Sequence, residues 1–97
     1  MYSQTYYLLR SKHDGRHLAA RPNEGPATFL LLFAMDYEAL SYLGTHAATV
    51  RDRFTVEAIA AYQIKDLLNR WGFTGVGWVR DPTPPIVEFM TRDRFLA

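Results

Sequence analysis

Two imidazoles and a carboxylate, His13, Asp14 and His17, stand in one short stretch, and they are ligand types of a zinc or nickel site. The Asp14-Gly15 pair among them suits the positive φ angles of a tight hairpin turn. A two-residue turn would pair His13 with Arg16 and Lys12 with His17, pointing the imidazoles to opposite faces beside cations. A solvated polar turn is therefore expected here, and no metal site. Glu57 and Glu88 are the only acids inside expected strands, and across a sheet they could work as an acid and base pair. Each alternates with apolar neighbours, Val56 and Ala58 or Val87 and Phe89, which predicts solvent-facing carboxylates instead.

Nucleophilic chemistry has little to draw on. Ser3, Ser11 and Ser41 are the only serines, none lies between the two glycines of a nucleophile elbow, and the chain has no cysteine. The absence of cysteine also excludes disulfides, thiolate zinc sites and iron–sulfur clusters, and is compatible with a reducing cytosol. Cytoplasmic localisation is expected. Arg70-Trp71-Gly72-Phe73-Thr74-Gly75-Val76-Gly77-Trp78 has the basic, glycine and aromatic residue types of an RNA-recognition motif. That motif must lie wholly on a strand, whereas here Trp71 closes a helical stripe and Gly72 ends it. The same glycines follow a helix and precede a strand, the reverse of the order that aims backbone amides at a phosphate. No catalytic, metal or cofactor-binding residue is assigned, and no cofactor is expected.

The elements that would position these groups can be read from periodicity. Thr5 to Arg10 is β-prone, Arg16 to Arg21 should return after the turn, and Thr28 to Ala34 is an apolar run expected to be a central strand covered on both faces. A helix should start at Asp36, with Met35 and Leu40 spaced as a hydrophobic staple and Gly44 as its terminator. Arg53 to Ala60 reads as a fourth strand, although its last residues could equally begin the next helix. In that helix Ile64, Leu67, Leu68 and Trp71 form one apolar stripe, and Asp66 and Arg70 are spaced to pair. Gly72 suits the left-handed stop, with Phe73 placed to touch Leu68. Val76 to Arg80 and Ile86 to Met90 supply two more strands around a loop enforced by Pro82, Pro84 and Pro85. The expected order is βββαβαββ, an α+β domain with a mixed or antiparallel sheet of five to six strands and two helices. Residues 1–97 are read as a single domain, with 91–97 as a mobile tail.

Composition agrees with a packed globular chain: 97 residues, 48% hydrophobic and 22% charged. Eleven basic against ten acidic residues leave +1, too little to hold nucleic acid or an anionic membrane by bulk charge. The longest apolar run, Phe29 to Met35, is far shorter than a bilayer span. Arg51-Asp52-Arg53-Phe54 recurs as Arg92-Asp93-Arg94-Phe95, but the flanking residues do not match, so no structural repeat is expected.

From Phe29 to Ala34, then Asp36 to Leu43, and again from Ile64-Lys65-Asp66-Leu67-Leu68 through Gly72-Phe73-Thr74-Gly75-Val76 to a Pro-bearing loop and last strand, the chain resembles the N-terminal domain of the SseB family. The resemblance covers roughly Phe29 to Met90 and leaves the first hairpin unexplained. It implies a small α+β domain with no catalytic motif to carry across.

The functional expectation is a non-enzymatic protein-interaction or regulatory accessory module, with self-association as its first contact and a protein partner or homo-oligomer as its binding mode. Tyr6, Leu8, Trp78 and Arg80 are the candidate interaction residues, because aromatic residues and Arg are enriched at interfaces. Tyr2 and Tyr7 share that chemistry. The first and last strands are expected to be sheet edges, with Tyr6 to Leu9 the contact. The alternatives are a small-molecule enzyme using His17 or Glu88 in a cleft, and a single-stranded RNA-binding module. The second requires Tyr6, Trp78 and Phe89 exposed together on one sheet face.

Overall fold

No polar residue interrupts the run from Phe29 to Phe33, and in the computed structural model this run is β3, the middle strand of one six-stranded sheet. The structure describes residues 4–22, 25–46, 48–80 and 86–96. Around β3 lie β1 (Thr5–Ser11), β4 (Phe54–Ala60), β5 (Gly75–Arg80) and β6 (Ile86–Thr91), in the order β4-β1-β3-β5-β6. A two-residue β2 (Ala19–Ala20) pairs with β3 alone. The β3–β5 pair is parallel and the others are antiparallel, so the sheet is mixed.

Among the described residues three helices complete the fold: α1 (Asp36–His46), α2 (Ala61–Trp71) and α3 (Arg92–Leu96), with a 3-10 helix over Ala48–Arg53. Because side chains alternate along β3, Leu30 and Leu32 enter one core while Leu31 and Phe33 enter the other. The first core joins Leu8, Ile59 and Val76 to Ile64 and Leu68 of α2, with Phe95 of α3 at its margin. The second joins Leu9 and Val79 to Ala39 and Leu43 of α1. An apolar strand covered on both faces is thus what the composition of residues 29–33 requires.

The second helix forms as its sequence directs. Gln63 Oε1 accepts the Ala60 N–H at 3.1 Å, half of a capping box, since alanine offers no oxygen for the other half. At its far end Gly72 takes φ 70°, and Phe73 N–H returns to the Leu68 carbonyl at 3.0 Å.

Several expectations are corrected. Trp71 is 44% exposed and stands outside the core that Ile64 and Leu68 enter. Met35 and Leu40, spaced as a staple, are both exposed and lie outside the core, and α1 runs through Gly44 to His46. Instead Glu38 Oε1 accepts the Met35 N–H at 3.2 Å. The second strand shortens because its residues divide between two neighbours: Leu18 N–H bonds to Leu9, while Ala19 and Ala20 pair with β3. Residues 92–96, placed in a tail by the sequence reading, form α3. The two Arg-Asp-Arg-Phe stretches take different forms, one leading from the 3-10 helix into β4 and the other inside α3. Tyr2 and the Pro82–Pro85 stretch lie outside the described residues. Among the described residues no helix is long and apolar enough to cross a membrane.

Candidate functional site

The hairpin after β1 is wider than a two-residue turn, and this sets the position of His17. Gly15, at φ 73°, sits inside a loop closed by Ser11 N–H bonding to the Arg16 carbonyl at 2.8 Å. His17 therefore stands opposite Arg10, and not opposite Lys12. One consequence is that the two imidazoles separate. His13 is exposed on the turn, while His17 enters a cleft of about 400 Å³ between α2 and the β1–β4 side of the sheet. Among the described residues no group of three or more His, Asp or Glu is arranged to hold a metal ion.

Leu8, Ile59 and Leu67 give the cleft its apolar lining, and Arg10, Glu57, Gln63, Asp66 and Arg70 its polar one. Arg10 closes one side, its Nε donating to the Gly15 carbonyl at 3.1 Å and its Nη1 reaching Glu57 Oε2 at 3.5 Å. Trp71 meets the His17 ring edge-on, with centroids 5.4 Å apart. Burial, and then the Arg10 charge, hold the His17 pKa below its ordinary value, against a smaller opposing pull from Glu57. Its Nδ1 is buried and has no hydrogen-bond partner among the described residues, so protonation would leave a buried N–H unsatisfied. The imidazole is thus kept neutral at pH 7, next to a carboxylate already paired with Arg10. Among the described residues no side-chain hydroxyl or thiol lines the cleft, so it offers no serine-, threonine- or cysteine-type nucleophile. Asp66 and Arg70, spaced to pair with each other, have no ion-pair partner among the described residues.

The two strand carboxylates do not meet, because Glu57 lies on β4 and Glu88 on β6, at opposite edges of the sheet. Glu88 is instead held between Arg80 at 3.5 Å and Arg94 at 3.4 Å. Of the four candidate interaction residues, Leu8 is buried at 1% exposure and belongs to the core. Tyr6 and Trp78 are half-buried, and Arg80 is exposed beside Glu88. Phe89 packs on Phe29 with centroids 5.1 Å apart, and its neighbour Glu88 is the residue opposite Trp78. Phe89 thus faces the other side of the sheet from Trp78, and the three rings do not share a face.

The edge expectation also changes. β1 is paired along its whole length with β4 and touches β3 on its other side, so Tyr6 to Leu9 is interior to the sheet. Among the described residues the edges are β4 and β6. Arg53 accepts from Lys12 N–H at 2.7 Å and Ala61 N–H donates to Gln4 at 3.0 Å, which fixes the phase of the β1–β4 ladder. In that phase Phe54, Val56 and Ala58 turn their backbone groups away from β1. A free edge depends on strand order, which no local pattern encodes. Of the polar flank of the cleft, Asp66 and Arg70 were singled out in the sequence only as spaced to pair with each other, and Gln63 was not singled out.

The chain matches no family model, no curated protein and no solved structure.

Proposed function

We propose that this protein is an interaction module that associates by strand addition at the free edge of β4, with a second copy of the chain as its first partner. The observation that carries this reading is the outward row of backbone groups at Phe54, Val56 and Ala58 on a seven-residue edge. Edge strands are normally blunted by charge, proline, shortness or cover. β6 has such protection, since Glu88 brings Arg80 and Arg94 beside it. β4 carries a single charged side chain, Glu57, already satisfied by Arg10 from within the sheet. Ala58 is exposed and uncharged. Main-chain bonding of this kind supplies affinity without a catalytic group. The resemblance to the SseB family, which implies a small α+β domain with no catalytic motif, accords with an accessory role.

Sedimentation velocity over a concentration series tests the proposal. Ala58→Pro removes an outward N–H while leaving the β1–β4 ladder intact. Ala58→Lys adds a charge at the same point. Both should abolish association while keeping the denaturation midpoint that the wild type shows at concentrations too low for it to associate. A wild-type chain that stays monomeric at every concentration and captures no partner would refute it.

A further inference from the structure

We infer that the second copy adds to β4 in an antiparallel register centred on Val56, and that the cleft receives its Arg53 side chain on Asp66. The inference rests on the strand-addition reading above and specifies the partner surface.

Two-fold symmetry makes the strand its own partner, so the register is set by which residue lies on the axis. An axis through Glu57 would overlap the whole strand but would set two glutamates directly opposite, their Cα atoms roughly 4.5 Å apart at a non-hydrogen-bonded pair. An axis through Val56 avoids this. It is one of the outward residues, so it can exchange both backbone bonds with its own copy while Phe54 exchanges them with Ala58. Glu57 then faces Thr55 of the second copy.

Continued one residue past β4 to Arg53, which ends the 3-10 helix and whose carbonyl keeps the β1–β4 phase by accepting the Lys12 N–H, the same register places Arg53 of the second copy opposite Ile59. Opposed residues of an antiparallel pair point to one face, and Ile59 belongs to the face covered by α2. Ile59 and Asp66 line the same cleft. The arginine stem can lie over Ile59 while its guanidinium reaches Asp66. Both charges are available, since Arg53 and Asp66 are exposed and neither has an ion-pair partner among the described residues. Symmetry repeats the contact, giving two ion pairs per dimer.

A charge exchange tests this. Arg53→Asp and Asp66→Arg should each raise the dimer dissociation constant by about tenfold or more, because each creates two like-charge contacts. An equimolar mixture of the two variants should form a heterodimer, and the double variant should self-associate nearly as the wild type does. Circular dichroism should be unchanged, and so should denaturation midpoints measured at concentrations too low for the wild type to dimerise, since both residues are on the surface. If Ala58→Pro abolishes dimerisation but the charge variants dimerise like the wild type, this register is wrong and the edge reading stands. If the wild type is monomeric at every concentration, this register falls, and the edge reading falls with it when no partner is captured either.

Discussion

Tyr6 meets Trp78 edge to face across the central strand, with ring centroids 5.3 Å apart and planes at 84°. Phe95 of α3 closes on the other side of Tyr6 at 5.6 Å. This geometry is the one that aromatic quadrupoles favour, and it ties β1, β5 and α3 together. Tyr6→Ala should therefore lower stability by about 2–3 kcal/mol, from lost burial and lost ring contacts. Urea denaturation checks it. An unchanged midpoint would mean that the ring contributes nothing to folding.

Leu68 and Trp71 share one helical stripe but differ in burial, at 0% and 44% exposure. Leu68→Ala should cost about 2–5 kcal/mol through transfer and cavity terms, whereas Trp71→Ala should cost less than about 1.5 kcal/mol. Denaturation curves of the two variants side by side would show the separation, and equal losses would contradict the burial pattern.

The parts of this architecture that local chemistry dictates were legible in the sequence. Residues 29–33 announce a strand buried on both faces because no polar residue interrupts them, and Gly72-Phe73 announces a helix stop because the left-handed turn needs glycine. What was not legible depended on long-range pairing. Nothing within Thr5 to Arg10 records that β4 will cover its outer side, and nothing around Trp71 records that its ring will stand half-exposed against His17. His17 was misplaced for a smaller reason: the Asp14-Gly15 turn signal was read as a two-residue loop, and the wider loop shifts every opposed pair, bringing His17 to Arg10 and into the cleft.

Glycine positions divide sharply by surroundings. A Cβ on Gly75 would collide with the Met90 carbonyl of β6, so Gly75→Ala should destabilise by about 1–3 kcal/mol. Gly44, inside α1, has open space around it, and Gly44→Ala should stabilise by about 0.5–1 kcal/mol through helix propensity. Thermal unfolding of both variants should therefore shift in opposite directions.

Stability should rise with pH through the histidine range. The His17 pKa is lowered in the folded state from its ordinary 6.5, so near that pH the unfolded chain binds more protons than the folded one. The contribution of His17 is complete above the unfolded value and is lost as pH falls below it toward the folded one. Urea midpoints at about pH 7.5 and about pH 5.5 should differ in that sense, and His17→Leu should reduce the difference. An unaltered slope in the variant would remove His17 as its source.

The parallel pairing of β3 with β5 has a kinetic consequence. Thr28 and Thr74, bonded at the mouth of this pair, are 46 residues apart, and α1, β4 and α2 all lie between them in the chain. The centre of the sheet therefore cannot zip up from a local turn. Loop-closure entropy must be met before the contacts that repay it exist, which places refolding in the millisecond-to-second class of non-local topologies. Until that step is complete, β3, the most apolar segment of the chain, lacks its parallel neighbour, and refolding yield should fall as protein concentration rises.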